Sequence, residues 1–169
     1  MDDPFGFLGI EPTFELDAAA LQARFLAESS RCHPDRFADP LAQADAADRM
    51  SRVTQAHRVL RDPESRARAL LVLRGGSATP GDDNAKALPP DLLMEVMEVR
   101  ESLDDAIASE DTAAIEKHRA WAEAERAGRL KKIASLFEQP ASEKNAAALR
   151  LELNALRYIV RMLEQMPDG

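Results

Sequence analysis

The sequence predicts an all-α protein, and three observations carry that expectation. Apolar residues make up 45% of the chain but aromatics only 5%, with alanine and leucine dominant, a mix that favours helix over sheet. Apolar residues recur at three- and four-residue spacing over several long stretches. Aspartate, serine and proline punctuate those stretches where helices would start and stop.

In chain order, Pro4 to Ile10 forms a short helix that turns Phe5 and Leu8 inward, with Phe7 beside them. Asp17 caps a second helix whose Leu21, Phe25 and Cys32 share one face. That helix stops near Cys32, because Pro34 disfavours helical geometry at His33. A long helix follows from about Leu41 to Arg61, with Met50, Val53, His57 and Leu60 at helical spacing. Asp62-Pro63 breaks it and starts a further helix, Pro63 standing at a tolerated first position. The two longer helices form an antiparallel hairpin with short helices packed at its ends.

A stretch rich in glycine, proline and acidic residues, 75–90, reads as a linker between a first domain, 1–74, and a second, 91–169. The second domain holds three helices, at approximately 91–109, 112–138 and 142–166, and so a three-helix bundle. Asp111 or Thr112 caps the middle helix, Gln139-Pro140 ends it, and Ser142 is a weak start for the last.

Charge narrows the function. The formal net charge is -8; residues 1–74 carry 10 basic and 12 acidic groups and the remainder 12 and 18, so -2 and -6. Neither half has the basic footprint of a nucleic-acid or anionic-membrane binder. No apolar run approaches the roughly 20 residues that span a bilayer, and the acidic start resembles neither a secretory signal nor a transit peptide. The single cysteine, Cys32, excludes an internal disulfide and a multi-cysteine zinc site, and suits the cytoplasm.

Two constellations stand out. The first is His33-Pro34-Asp35. A histidine and an aspartate two residues apart can serve acid-base chemistry, as in a small hydrolase, but catalysis also needs a pocket and supporting groups. Cys32 beside His33 is better read as a small apolar residue than as a nucleophile, since adjacency does not aim a base at the sulfur. His57 reads as a core or boundary histidine rather than a ligand. The tripeptide lies between a helix bearing Arg24 and Arg31 and a second one ending Thr54-Gln55-Ala56-His57-Arg58-Val59-Leu60-Arg61-Asp62-Pro63-Glu64-Ser65-Arg66. With that context, residues 4–74 resemble the J-domain family, departing from it at Cys32 and His57, where many members carry an aromatic. The resemblance implies that His33, Pro34 and Asp35 dock on an ATP-bound DnaK-type chaperone and accelerate its hydrolysis. Arg24, Arg31 and Arg36 fit an acidic surface on that chaperone, although a solvated helix face accounts for them equally well.

The second constellation is a helix with two apolar faces. Leu92, Val96, Val99, Leu103 and Ile107 form one stripe, enough to pack a bundle, yet Leu93, Met94 and Met97 lie off it beside Glu98, Glu101 and Asp105. Surplus apolar side chains rimmed by carboxylates suggest a partner surface; alternatively they cover the first domain or widen the core. The last helix repeats the pattern, with Leu149, Leu153, Leu156, Val160 and Leu163 on one stripe and Leu151, Tyr158 and Met162 nearly opposite. Trp121 and His118 read as packing or surface residues.

Together with Arg66-Ala67-Arg68-Ala69-Leu70-Leu71 and the linker, the segment Leu92 to Glu101 makes the whole chain similar to the HscB family, J-domain co-chaperones of iron-sulfur cluster assembly. Ala69 replaces a usual aromatic. The cysteine motif of some eukaryotic members is missing, so no metal site transfers. The resemblance implies that Leu93, Met94, Met97, Glu98, Glu101 and Asp105, completed by Arg157 and Tyr158, bind an IscU-type scaffold protein. It further implies delivery of that scaffold to an HscA- or DnaK-type chaperone. There is no GxxxxGK[ST] phosphate loop and no cluster ligand set, so no cofactor and no enzymatic activity are expected. The rivals are a general J-domain co-chaperone for unfolded clients and the small His/Asp hydrolase.

Overall fold

The computed structural model describes residues 3–76 and 88–167. Of the stretch read as a linker, residues 77–87 therefore lie outside the described residues. The described chain is all-α, with seven α-helices, one 3-10 turn and no strand among the described residues. It divides into two compact units, Met1–Ser77 and Ala78–Gly169.

The first unit contains α1 (Pro4–Leu8), α2 (Ala18–Arg31), a 3-10 turn (Pro34–Arg36), α3 (Pro40–Arg61) and α4 (Pro63–Leu73). Three of its four helices begin at an Asp-Pro pair, where the aspartate caps and the proline occupies the first helical position. The carboxylates of Asp3, Asp39 and Asp62 accept hydrogen bonds from the backbone N–H groups of Phe5 (3.0 Å), Ala42 (2.9 Å) and Ser65 (2.8 Å). Asp17 caps α2 through the N–H of Ala19 at 2.9 Å. Helix α1 closes on Gly9 at φ 59°, a left-handed conformation that glycine adopts without a side-chain clash.

Helices α2 and α3 run antiparallel. Cys32 Sγ lies 4.0 Å from Met50 Sδ, Glu28 meets Arg49 at 3.5 Å, and the Phe25 ring stacks on His57 at 4.3 Å. Partners thus descend α3 as positions ascend α2. Phe5, Leu8, Leu21, Cys32, Val53, Ala56, Leu60, Leu70 and Leu71 are buried. Cys32 is a packing residue at the hairpin's closed end, as its type suggested.

The second unit is an up-down-up bundle of α5 (Pro90–Ala108), α6 (Thr112–Glu138) and α7 (Glu143–Gln165). Asp111 caps α6 through Ala114 N–H at 3.0 Å, and Ser142 caps α7 through Asn145 N–H at 3.1 Å, so the weak start signal is used. The core draws Leu92, Val96, Leu103 and Ala106 from α5, Ile115 and Ala122 from α6, and Ala155, Ile159, Met162 and Met166 from α7.

Two sequence expectations fail here. Ile107 is 38% exposed and Ala106 takes its place inside. On α7 the buried row continues from Leu156 through Ile159 to Met162 and Met166, leaving Val160 and Leu163 only partly buried. Met162, expected off the stripe, is core. The cause is that α7 lies along α6 while its buried row also enters the core shared with α5, which widens its buried arc beyond a single stripe.

Among the described residues one charged side chain is buried. Arg129, 4% exposed, binds Glu125 at 3.1 Å, Glu152 at 3.2 Å and Asp91 at 3.6 Å, and so touches all three helices. Lys132 adds a 3.5 Å contact to Asp91. This ionic clamp grips the start of α5, which has no side-chain cap of its own.

Candidate functional site: an exposed turn and an exposed helix face

At the closed end of the hairpin, His33 caps the 3-10 turn, its Nδ1 accepting a long 3.4 Å hydrogen bond from Asp35 N–H. That bond requires Nδ1 unprotonated and leaves the ring proton on Nε2. Backbone bonds from Arg36 N–H to His33 O (3.1 Å) and Phe37 N–H to Pro34 O (3.0 Å) close the turn. Side-chain hydrogen bonds tie it to both helices. Arg36 donates to Ser30 O at 3.2 Å, and Gln43 Nε2 to Phe37 O at 2.8 Å.

The side chains of His33 and Asp35 are 53% and 88% exposed, with Nδ1 and Oδ2 3.6 Å apart. Acid-base catalysis draws its strength from water-poor, preorganised surroundings, and this pair stands in water. The geometry instead presents a rigid, exposed polar loop. Arg24 and Arg31, seven residues apart, share a face of α2. Arg31 is paired with Glu28 at 2.7 Å. The exposed apolar residues Leu26 on α2, Phe37 after the turn and Leu41 on α3 were not picked out from the sequence; for Leu26 the signal was its position off the Leu21–Phe25–Cys32 face.

In the second unit, Leu93, Met94 and Met97 are 48%, 73% and 65% exposed on α5. Glu98, Glu101 and Asp105 are exposed beside them. At about 100° per residue, these six lie in one arc opposite Leu92, Val96 and Leu103. The half-buried Tyr158 comes to the edge of this arc, its hydroxyl accepting from Arg100 at 3.2 Å. Arg157 is half-buried on α7, about 100° round the helix from Tyr158.

On the opposite flank of α5, Trp121 Nε1 donates to Glu95 at 2.7 Å and His118 Nε2 lies 3.1 Å from Ser102 Oγ. Both are packing residues that tie α6 to α5. Among the described residues no cluster of His, Cys, Asp and Glu could hold a metal ion. None of the described helices is long and apolar enough to cross a membrane.

Residues 88–166 match the family described as the HSCB C-terminal oligomerisation domain. The co-chaperone protein HscB homolog of Burkholderia multivorans is 38% identical over 170 residues, spanning 98% of this chain and 92% of the relative. The chain belongs to the HscB co-chaperone family. The HscB homolog of Burkholderia cenocepacia is 35% identical over the same shares. Among solved structures, HscB from Vibrio cholerae superposes with a TM-score of 0.79 at 26% identity, over 98% of this chain and 95% of that one. Human co-chaperone HscB shares the fold, with a TM-score of 0.82 at 24% identity over 98% and 81%. The HscB family model thus spans the bundle with its exposed α5 face, and the full-length relatives extend the likeness through the turn.

Proposed function

We propose that this HscB-family co-chaperone joins two partners in iron-sulfur cluster assembly. The turn at His33-Pro34-Asp35, with Arg24, Arg31 and Arg36, docks on a DnaK- or HscA-type chaperone and stimulates its ATP hydrolysis. The α5 face of Leu93, Met94, Met97, Glu98, Glu101 and Asp105, flanked by Arg157 and Tyr158, carries the IscU-type scaffold to it. The observation that supports this most is the exposure of three large apolar side chains beside carboxylates on a helix whose opposite stripe packs into the bundle core.

The protein lowers no chemical barrier itself. Binding the hydrolysis-competent chaperone conformation more tightly than its alternative is enough to shift the population. Holding the scaffold on the same chain raises its effective concentration at the chaperone. A lone, buried cysteine suits work in the cytoplasm.

ATP hydrolysis by the chaperone, with and without scaffold, tests both ends. His33→Gln should abolish stimulation while leaving scaffold affinity intact. Met97→Lys should weaken scaffold binding by roughly tenfold or more, because it places an unpaired charge in an apolar contact. Full stimulation by His33→Gln rejects the docking turn, and unchanged affinity in Met97→Lys rejects the α5 face. Preference for extended apolar peptides over scaffold would indicate a general co-chaperone, and turnover without any partner a hydrolase.

A further inference from the structure

At the open end of the hairpin, remote in sequence from the docking turn, lies a cavity of about 350 Å³ that neither binding surface uses. Its lining is Leu16, Ala18, Leu21, Gln22, His57, Arg61 and Arg66. The size falls at the lower end of the range of small-molecule sites, roughly 300–1,000 Å³. Three of the lining side chains are apolar, one is an amide, three are cationic or can become so, and none is a carboxylate.

Each polar group comes from a different structural commitment. Arg66 is held in place: it donates to Leu60 O at 2.7 Å, and its guanidinium carbon lies 5.2 Å from the centroid of the Phe14 ring. Its Nε is buried without a partner. Arg61 is the last residue of α3, and His57 lies one turn before it, clamped by its stack on Phe25. Ala18 opens α2, whose start is already capped by the Asp17 carboxylate, so the anion-binding character rests on the side chains. Burial lowers the pKa of Arg66, and Glu15 and Asp62, which do not line the cavity, act in the opposite direction. The neighbouring Arg61 also disfavours the charged form of His57, after burial itself, as expected where positive potential collects.

We propose that this cavity binds a carboxylate carried on an aliphatic stem, with Arg61, Arg66 and His57 taking the carboxylate and Leu16, Ala18 and Leu21 the stem. Two sources share that chemistry: a free aliphatic acid, and the carboxy-terminal end of a peptide chain finishing in an aliphatic residue. A bare inorganic anion would use only half of the lining.

The test is nuclear magnetic resonance of the full chain, following the imidazole of His57 against those of His33 and His118. The probes are hexanoate, hexanamide, N-acetylleucine and inorganic phosphate. Hexanoate or N-acetylleucine should shift the His57 signals saturably and raise its pKa, while His33 and His118 stay still. Tighter binding of N-acetylleucine assigns the site to a chain end, and tighter hexanoate to a free acid. Hexanamide should not bind. Arg61→Gln, an exposed change at a helix end, should weaken the acid by about tenfold, the worth of one charge-assisted hydrogen bond. No His57 response to either acid overturns the proposal, as does equal binding of hexanamide or of phosphate. Arg66→Lys, which retains the charge, should keep binding within a few-fold; if Arg61→Gln and Arg66→Lys both bind as the native chain does, the cationic lining is not the site.

Discussion

His57 occupies a position where many J-domains have an aromatic, and its structure shows how it fills that role. The imidazole lies flat on Phe25, with an interplanar angle of 23°, and is half-buried. Burial first, and Arg61 second, lower its pKa. The folded state therefore favours the neutral ring. As pH falls through the unfolded value near 6.5, the unfolded chain takes up the proton first, and stability declines until the folded pKa is also passed. His57→Phe should keep the stack and remove this dependence. Thermal midpoints of the two proteins should diverge between about pH 7 and 5, the native chain falling further; parallel curves would show that His57 has no part in acid sensitivity. Residue-level chemistry was legible where it is local. Asp17, Asp62 and Asp111 announce helix starts through short-range hydrogen bonds, and all three act as caps. Ile107 and Met162 were not legible, because an apolar residue near the edge of a stripe is placed by its neighbours in space, not in sequence.

At the level of elements, the feature least visible beforehand is the clamp on Arg129. Helix α6 mixes charged and apolar residues without a clean face, so nothing in its pattern marks one arginine as interior. Burial would lower the pKa of Arg129, but Glu152 and Glu125 outweigh it and raise the value. At Asp91, burial alone would raise the pKa, but Arg129 and Lys132 lower it instead. The Asp91 contribution is present above the ordinary carboxylate range and is lost as pH falls through its lowered pKa. Arg129→Met should destabilise the bundle by about 3 kcal/mol, because Glu152 and Glu125 keep their charge without a counterion. Urea unfolding measures this directly. Adding Glu125→Gln and Glu152→Gln should recover most of the loss, and failure to recover would assign the effect to packing. The α5 start is held through the Arg129–Asp91 contact, which the two added changes do not restore, so scaffold affinity should fall with Arg129→Met and stay low in the triple variant even as stability returns.

Across the whole molecule, the number and order of helices followed from periodicity and punctuation, and the all-α fold held to within a residue or two at most ends. The 3-10 turn at Pro34–Arg36 was equally legible as a helix end, since a proline disfavours helical geometry at the histidine before it. What periodicity could not supply is which cation lines a cavity, because Arg61 and Arg66 meet His57 and Leu16 only after α2, α3 and α4 have packed. The proposed function makes one demand on the chain as a whole: turn and face must belong to the same polypeptide. A mixture of His33→Gln and Met97→Lys proteins should therefore fail to restore scaffold-enhanced ATP hydrolysis, although each supplies the part the other lacks. Restoration by the mixture would mean that the scaffold is recognised by the chaperone unaided.

The Arg129 clamp also constrains how this bundle can change over generations. Its carboxylate partners are unequally enclosed: Asp91 is 61% exposed, Glu125 29% and Glu152 13%. Losing Asp91 first costs little, because Arg129 keeps two partners. Losing Arg129 first leaves the largely enclosed Glu152 without its counterion, which is the more destabilising order. Descendants that exchange the clamp for an apolar core should thus have abandoned Asp91 early and Arg129 with Glu152 together. Chains caught midway should retain the arginine more often than its outermost partner.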